Sequence, residues 1–262
     1  MLTAYDAPTA ELLEKSGVDF ILVGDSLGMV LLGYPSTTPV TMDEMIHHAK
    51  AARRGAKKSF LIGDMPLKGI ERGLRQALES AKRFVQEGGC DAVKLEWAPR
   101  TLKMTDLFIR NKIPVMGHIG LTPQRVKKRD GFKVQGRDAE SAFKILKAAK
   151  ALEKEGAFSV LLECVPSPIA GFITRELKIP TIGIGAGPEC DGQVLVFHDL
   201  VGIFTKFKPR FVKRYARLDE TMRQAVKNYV REVKGGRFPT KQHGFSMKAD
   251  ELMRFLSCAS KL

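Results

Sequence analysis

Short apolar runs recur along this chain, and each is followed by a segment with helical periodicity. That alternation confines the fold to the α/β class. The runs occupy residues 2–5, 20–24, 59–63, 92–95, 114–117, 159–163, 181–184 and 195–197. They are too short for helices and apolar at successive positions, as strands buried on both faces should be. Between them, Leu74, Ala77, Leu78, Ala81, Phe84 and Val85 repeat at helical spacing before Gly88 and Gly89. Ala142, Ile145, Leu146, Ala149 and Leu152 do the same before Gly156. Thr41 and Glu44 form a capping box, and Asp6, Pro8 and Gly17 bracket a first helix. Strands that alternate with helices imply a parallel sheet. Eight such units in 262 residues predict a single (β/α)8 TIM barrel rather than an open sheet. No linker or internal repeat divides the chain. Residues 1–262 therefore read as one domain, with a C-terminal extension from about 246 to 262 that contains a helical stretch at 249–256. Two stretches, 27–40 and 119–137, read as long loops, which in a compact domain usually serve function.

Composition narrows the class further. A hydrophobic share of 44% is enough for a core and argues against disorder. The four Cys have no C-x-x-C spacing, so neither a disulfide scaffold nor a structural zinc site is expected. No apolar run approaches the ~18 residues of a membrane span. Asp6, Glu11, Glu14, Lys15, Asp19 and Asp25 make a signal peptide unexpected in the first stretch. Lys and Arg number 43 against 29 Asp and Glu, a net +14. The excess is spread out, densest at 206–217 and 127–129, and no RNP, KH or zinc-finger pattern accompanies it. It reads as solvated surface, with no nucleic-acid partner and no membrane partner expected.

In a barrel, chemistry gathers at the C-terminal strand ends. Here those ends carry Asp25 and Ser26, Asp64, Lys94 and Glu96, His118, and Glu163. Asp25, Asp64 and Glu96 close three successive strands, ~5 Å apart. Anions packed that closely repel unless a cation lies among them, and oxygen-only donors select a hard ion such as Mg²⁺. Helix caps or salt-bridge partners are the plainer alternative. Lys94 and Glu96 share parity and so share a face. Lys94 is either a salt-bridge partner or an anchor for an anionic substrate. Glu163 is either a general base or a solvated rim carboxylate, and His118 either a site residue or a loop histidine bonded to a carbonyl. Cys164 follows Glu163 with opposite parity, which disfavours it as a nucleophile. The turn Gly-Ile-Gly-Ala-Gly at 183–187 can admit an anion or a flat ring close to the backbone, or is simply a tight turn. Together these residues suit Mg²⁺-assisted enolisation of a 2-oxo acid by a glutamate base, followed by attack on an electrophilic carbon.

At the same residues the sequence resembles the ketopantoate hydroxymethyltransferases. Val-Gly-Asp-Ser-Leu-Gly-Met (23–29), Gly-His-Ile-Gly-Leu-Thr-Pro-Gln (117–124), Gly-Phe-Lys-Val-Gln-Gly-Arg (131–137), Leu-Glu-Cys-Val-Pro (162–166) and Ile-Gly-Ile-Gly-Ala-Gly (182–187) carry the resemblance. Thr-Ala-Tyr-Asp (3–6) and Pro-Val-Thr-Met (39–42) add to it, and it extends over roughly residues 2–245. It implies a barrel of the phosphoenolpyruvate/pyruvate superfamily. The implied reaction transfers a hydroxymethyl group from the co-substrate 5,10-methylenetetrahydrofolate to 3-methyl-2-oxobutanoate, giving 2-dehydropantoate for pantothenate and coenzyme A synthesis. Residue by residue, the resemblance implies Mg²⁺ at Asp25, Asp64 and Glu96. It implies oxo-acid contacts at Asp25, Ser26, Asp64, Lys94 and His118, and Glu163 as the catalytic base. It further implies a cytoplasmic homodecamer, a pentamer of dimers. Two departures stand out: the family pattern has a helix before the first strand, which here begins at Leu2, and the pattern fades near 242–245. The competing enzyme class is a Mg²⁺-dependent carbon–carbon lyase of the isocitrate lyase type, but its Lys-x-Cys-Gly-His segment does not occur in this sequence.

Overall fold

The computed structural model describes residues 1–126 and 133–261. The basic stretch at 127–129 and the first two residues of the 131–137 motif lie outside the described residues. The chain forms two compact units, Met1–Ala216 and Arg217–Leu262.

In the first unit, β1 (Leu2–Thr3), β2 (Phe20–Val23), β3 (Phe60–Asp64), β4 (Ala92–Glu96), β5 (Val115–Gly120), β6 (Ser159–Glu163), β7 (Thr181–Ile184) and β8 (Gly192–Gln193) form one parallel sheet in sequence order. Among the described residues, nine helices follow or separate the strands: α1 (Ala7–Lys15), α2 (Leu27–Val30), α3 (Met42–Gly55), α4 (Leu67–Ile70), α5 (Leu74–Gln86), α6 (Thr101–Arg110), α7 (Ala139–Lys154), α8 (Ser167–Glu176) and α9 (Phe197–Leu200). The sheet curls until β1 meets the chain leaving β8. Leu2 bridges Leu195 in parallel, and the Phe197 N–H donates to Thr3 Oγ1 at 3.0 Å.

The helix starts are those written in the sequence. Asp6 accepts from the Thr9 N–H at 2.8 Å, and Thr41 and Glu44 cap each other at the head of α3. The helices press hard on the sheet's outer face. A Cβ on Gly63 would meet the Phe84 ring at 2.3 Å, and one on Gly117 would meet Leu152 at 2.5 Å, so glycine there sets the approach of α5 and α7. The inside of the curl holds a separate buried cluster of Leu22, Ile62, Ala92, Met116, Leu161, Ile182 and Val194. It contains one residue from each of β2 to β7.

Three sequence expectations need correction. The eighth strand is not 195–197 but Gly192–Gln193, which pair with Ile182 and Gly183. Leu195 makes an isolated bridge to Leu2 of β1, and Val196 already opens α9. The stretch 27–40 is not structureless, since it begins with α2. Within 119–137, β5 runs to Gly120 and a 3₁₀ turn spans Pro123–Arg125.

The second unit contains α10 (Leu218–Lys234), a 3₁₀ turn (Lys241–His243) and α11 (Ala249–Ala259). The ring of Phe238 stands 5.6 Å from that of Tyr229 and 4.9 Å from that of His243, centroid to centroid. Helix α10 was not anticipated, although Met222, Val226, Tyr229, Val230 and Val233 repeat at helical spacing. No helix among the described residues is long and apolar enough to cross a membrane.

Candidate active site

Side chains alternate along a strand, so positions two apart share a face. On the inner face, Ile62 is followed by Asp64, Ala92 by Lys94 and Glu96, Met116 by His118, and Leu161 by Glu163. Asp25 and Ser26 come from the turn after β2, at the head of α2. Asp25, Asp64, Lys94, Glu96 and His118 are all at most 5% exposed. All seven expected residues line one cavity of about 300 Å³. Register modifies one detail. Asp64 lies beside Lys94, while Glu96 lies one step higher beside His118, so the three carboxylates are staggered around Lys94 rather than level.

Hydrogen bonds fix the cluster. The Asp25 N–H donates to Asp64 Oδ2 at 3.0 Å, and Lys94 Nζ sits 2.7 Å from Asp64 Oδ1. Lys94 Nζ also donates to His118 Nδ1 at 3.2 Å. An ammonium can only donate, so Nδ1 is the bare nitrogen and the proton resides on Nε2. That Nε2 stands 3.1 Å from Glu163 Oε2. Close polar contacts therefore run from Asp64 through Lys94 and His118 to Glu163, but the buried His118 Nε2 makes no hydrogen bond among the described residues, which leaves its N–H available to a ligand. Ser26 Oγ lies 2.9 Å from the Tyr5 hydroxyl.

Gln124 is the residue that sequence reasoning missed. Its carboxamide Nε2 donates to Asp25 Oδ2 and to the Met65 carbonyl, both at 2.9 Å. Its backbone N–H reaches Glu96 Oε2 at 3.3 Å. One buried glutamine thus ties two carboxylates to the loop after β3. It stands at the end of the 117–124 motif, but a glutamine in a loop carries no signal of burial.

The electrostatics follow from one cation facing four carboxyl groups. Burial and the neighbouring Asp64 push Asp25 up to about 7. Burial holds Glu96 well above the usual carboxylate range, against the pull of Lys94. Burial works against the Lys94 ammonium, but Asp64, Glu96 and Asp25 outweigh it and keep the lysine charged. Burial and Lys94 hold His118 well below the usual imidazole value, so it is neutral. Burial lifts Glu163 to about 8.

These residues fit a hard divalent cation. The donors are oxygens only, the carboxyl groups outnumber the single cation, and burial first, then acidic neighbours, raise Asp25 and Glu96 above the ordinary carboxylate range. Scaffold bonds hold Asp25 Oδ2, Asp64 Oδ2 and Glu96 Oε2, and Lys94 Nζ lies 2.7 Å from the second oxygen of Asp64. Among the described residues no three acidic, His or Cys side chains form a complete cage. Mg²⁺ suits such a site, because it takes one or two carboxylates and fills the rest with water or substrate oxygens.

Two other expectations resolve here. Cys164 lines the cavity with its thiol pushed up to about 12 by burial, which leaves it protonated and a poor nucleophile. In the 183–187 turn, a Cβ on Gly185 would fall 2.7 Å from the Phe211 ring, and one on Gly187 would fall 2.0 Å from Ser167 Oγ. Protein side chains therefore occupy the close approaches these glycines allow.

The chain matches the family described as ketopantoate hydroxymethyltransferase over residues 1–241. It is 51% identical over 254 residues to the 3-methyl-2-oxobutanoate hydroxymethyltransferase of Carboxydothermus hydrogenoformans, covering 97% of this chain and 92% of that one. It is 53% identical over 251 residues to the same enzyme of Geobacillus sp. WCH70, covering 96% and 90%. Among solved structures, the phosphoenolpyruvate phosphomutase of Streptomyces platensis subsp. rosaceus superposes with a TM-score of 0.60 at 14% identity, over 99% of this chain and 91% of that one. A phosphonopyruvate hydrolase superposes with a TM-score of 0.59 at 13% identity, over 98% and 92%. These last two likenesses concern the fold.

Proposed function

This chain belongs to the ketopantoate hydroxymethyltransferase family, and on that premise we propose how its cluster performs hydroxymethyl transfer to 3-methyl-2-oxobutanoate. The net reaction joins the oxo acid, 5,10-methylenetetrahydrofolate and water to give 2-dehydropantoate and tetrahydrofolate. Asp25, Asp64 and Glu96 would hold Mg²⁺, which would supply Lewis-acid polarisation of the 2-oxo group and so acidify the adjacent C–H. Lys94 and Ser26 bind and orient the anionic oxo acid. Glu163, ionised, takes the proton from C3, and C3 forms the new bond to the one-carbon unit as that unit's bonds to the folate nitrogens break, those nitrogens taking up protons and water supplying the hydroxyl oxygen. Neutral His118, whose buried Nε2 has no hydrogen-bond partner among the described residues, offers that N–H to the substrate oxygens. The apolar setting that raises Glu163 also matches its basicity to a weak carbon acid.

The observation that carries this reading is the convergence of Asp25, Asp64, Lys94, Glu96, His118 and Glu163 on one cavity. The isocitrate lyase alternative has no observation in its favour beyond the shared fold. We also read the curled sheet as a closed (β/α)8 barrel, residues 1–262 as one functional domain with its extension, and the assembly as a cytoplasmic homodecamer. The direct test mixes purified protein, 3-methyl-2-oxobutanoate, 5,10-methylenetetrahydrofolate and Mg²⁺, with ketopantoate read by mass spectrometry. Product that disappears with EDTA is expected. Undiminished product in EDTA removes the metal from the scheme, and no product from folded protein removes the scheme.

A further inference from the structure

One wall of the cavity takes no part in the chemistry above. It is built by the chain that follows β7, from Val194, Val196, Asp199, Phe204, Phe207 and Phe211. Phe211 is seated against Gly185, where any side chain would collide with it. Asp199 is the acidic group of this aromatic wall. Its carboxylate accepts no hydrogen bond and makes no ion pair among the described residues. Arg214, the base whose field reaches it, instead donates Nη2 to the Phe204 carbonyl at 3.1 Å. A half-buried carboxylate left among apolar groups is costly unless a ligand brings donors to it. The oxo acid is an anion and cannot be that ligand. The complement is a flat ring with two adjacent N–H donors on one edge, which a carboxylate accepts in bidentate fashion while aromatic side chains pack its faces. The 2-amino-4-oxopyrimidine edge of a pterin, with N3–H beside the 2-amino group, has this form.

Position agrees with chemistry. The Tyr5 hydroxyl bonds Ser26 Oγ at 2.9 Å and lies in the field of both Asp25 and Asp199. The aromatic wall and the carboxylate floor line the same cavity. We infer that Asp199 and the surrounding phenylalanines form the subsite for the pterin ring of the one-carbon donor, with Asp199 accepting from N3–H and the 2-amino group. This rests on the hydroxymethyl-transfer reading of the cavity.

The test compares steady-state constants for both substrates in wild type, Asp199→Asn and Asp199→Ala. The KM for 5,10-methylenetetrahydrofolate should rise by about 10- to 100-fold, the range for losing hydrogen bonds to a charged group. The KM for 3-methyl-2-oxobutanoate should move by less than about threefold, since additivity holds for separate contacts. A donor lacking the 2-amino group supplies the second arm. It should bind wild type as weakly as the parent donor binds Asp199→Asn, and the variant should no longer distinguish the two donors. An unchanged folate KM in the variants, or undiminished discrimination in Asp199→Asn, overturns the subsite. If the variants fail to fold, equal binding of the two donors by wild type overturns it by itself. Wild type that makes no product with the parent donor overturns the reaction and the subsite together. Normal turnover with unaffected variants overturns the subsite alone.

Discussion

Two layers of the same strands differ by a single step of two residues. Lower on the inner face lie Leu22, Ile62, Ala92, Met116, Leu161 and Ile182, with the rings of Phe20, Phe60 and Phe158 packed tilted or edge to face, centroids 5.3 to 6.4 Å apart. About 6.6 Å further along, at ~3.3 Å per residue, the same face presents Asp64, Lys94, His118 and Glu163. The lower layer gains from burial, on the order of 0.8 kcal/mol per methylene. The upper layer, buried except for Glu163, which is partly exposed, loses by burial, as the raised carboxyl groups and the neutral histidine record. The lesson is a division of labour along one strand. Hydrocarbon at the base fixes the curl, and the fixed curl holds unfavourable charges together at the rim.

Substitutions in the two layers should separate cleanly. The largest effect belongs to Glu163→Gln, which should lower kcat by about 10²–10⁴-fold, the range for a general base, without loss of Mg²⁺ affinity. It should also raise Tm at pH 8, because the folded state disfavours ionised Glu163 and stability falls as pH rises from the ordinary glutamate value toward about 8. Near-normal kcat would remove Glu163 as the base. Ile62→Ala should do the reverse. It should cost about 2–5 kcal/mol by denaturant unfolding and leave kcat nearly intact at a temperature where the variant is folded. A large kcat loss there would mean that the layers are not separable. Gln124→Leu should weaken Mn²⁺ binding, followed by electron paramagnetic resonance, by about 10–100-fold, as for residues that orient metal ligands. Gln124→Glu should not restore it, since a carboxylate cannot donate to Asp25. Wild-type affinity in both variants would reduce Gln124 to a packing residue. The mildest effect is that of pH. Because the base works only when deprotonated and burial lifts it to about 8, kcat/KM for the oxo acid should rise with pH toward that value. A limb in the ordinary carboxylate range would show that Glu163 is not held in this environment in solution.

Much of this was legible in the sequence because strand ends announce themselves. A polar residue after a short apolar run placed Asp25, Asp64, Glu96 and Glu163, and parity placed Lys94 beside them. The missing parts depend on stagger between strands, which a single strand does not reveal. Lys94 rather than Glu96 lies beside Asp64 because β4 is offset from β3, and that offset brings Asp64, Lys94, His118 and Glu163 into one run of contacts. Gln124 reaches the cluster across 99 residues of sequence, from a loop whose composition gave no hint of burial. The eighth strand was misplaced because Leu195–Val196–Phe197 is the more apolar run, whereas pairing with β7 selects Gly192 and Gln193. Asp199, six residues past β8, lies beyond any strand-end rule.

The central claim is that the rim cluster enolises the oxo acid before any one-carbon unit is involved. Its most direct test is solvent exchange. Protein, Mg²⁺ and 3-methyl-2-oxobutanoate are incubated in D₂O without folate, and loss of the C3 proton is followed by NMR. Wild type should catalyse exchange, and Glu163→Gln and EDTA should each abolish it. Exchange that continues undiminished in Glu163→Gln, or wild type that never exchanges while it still forms ketopantoate, would contradict the claim.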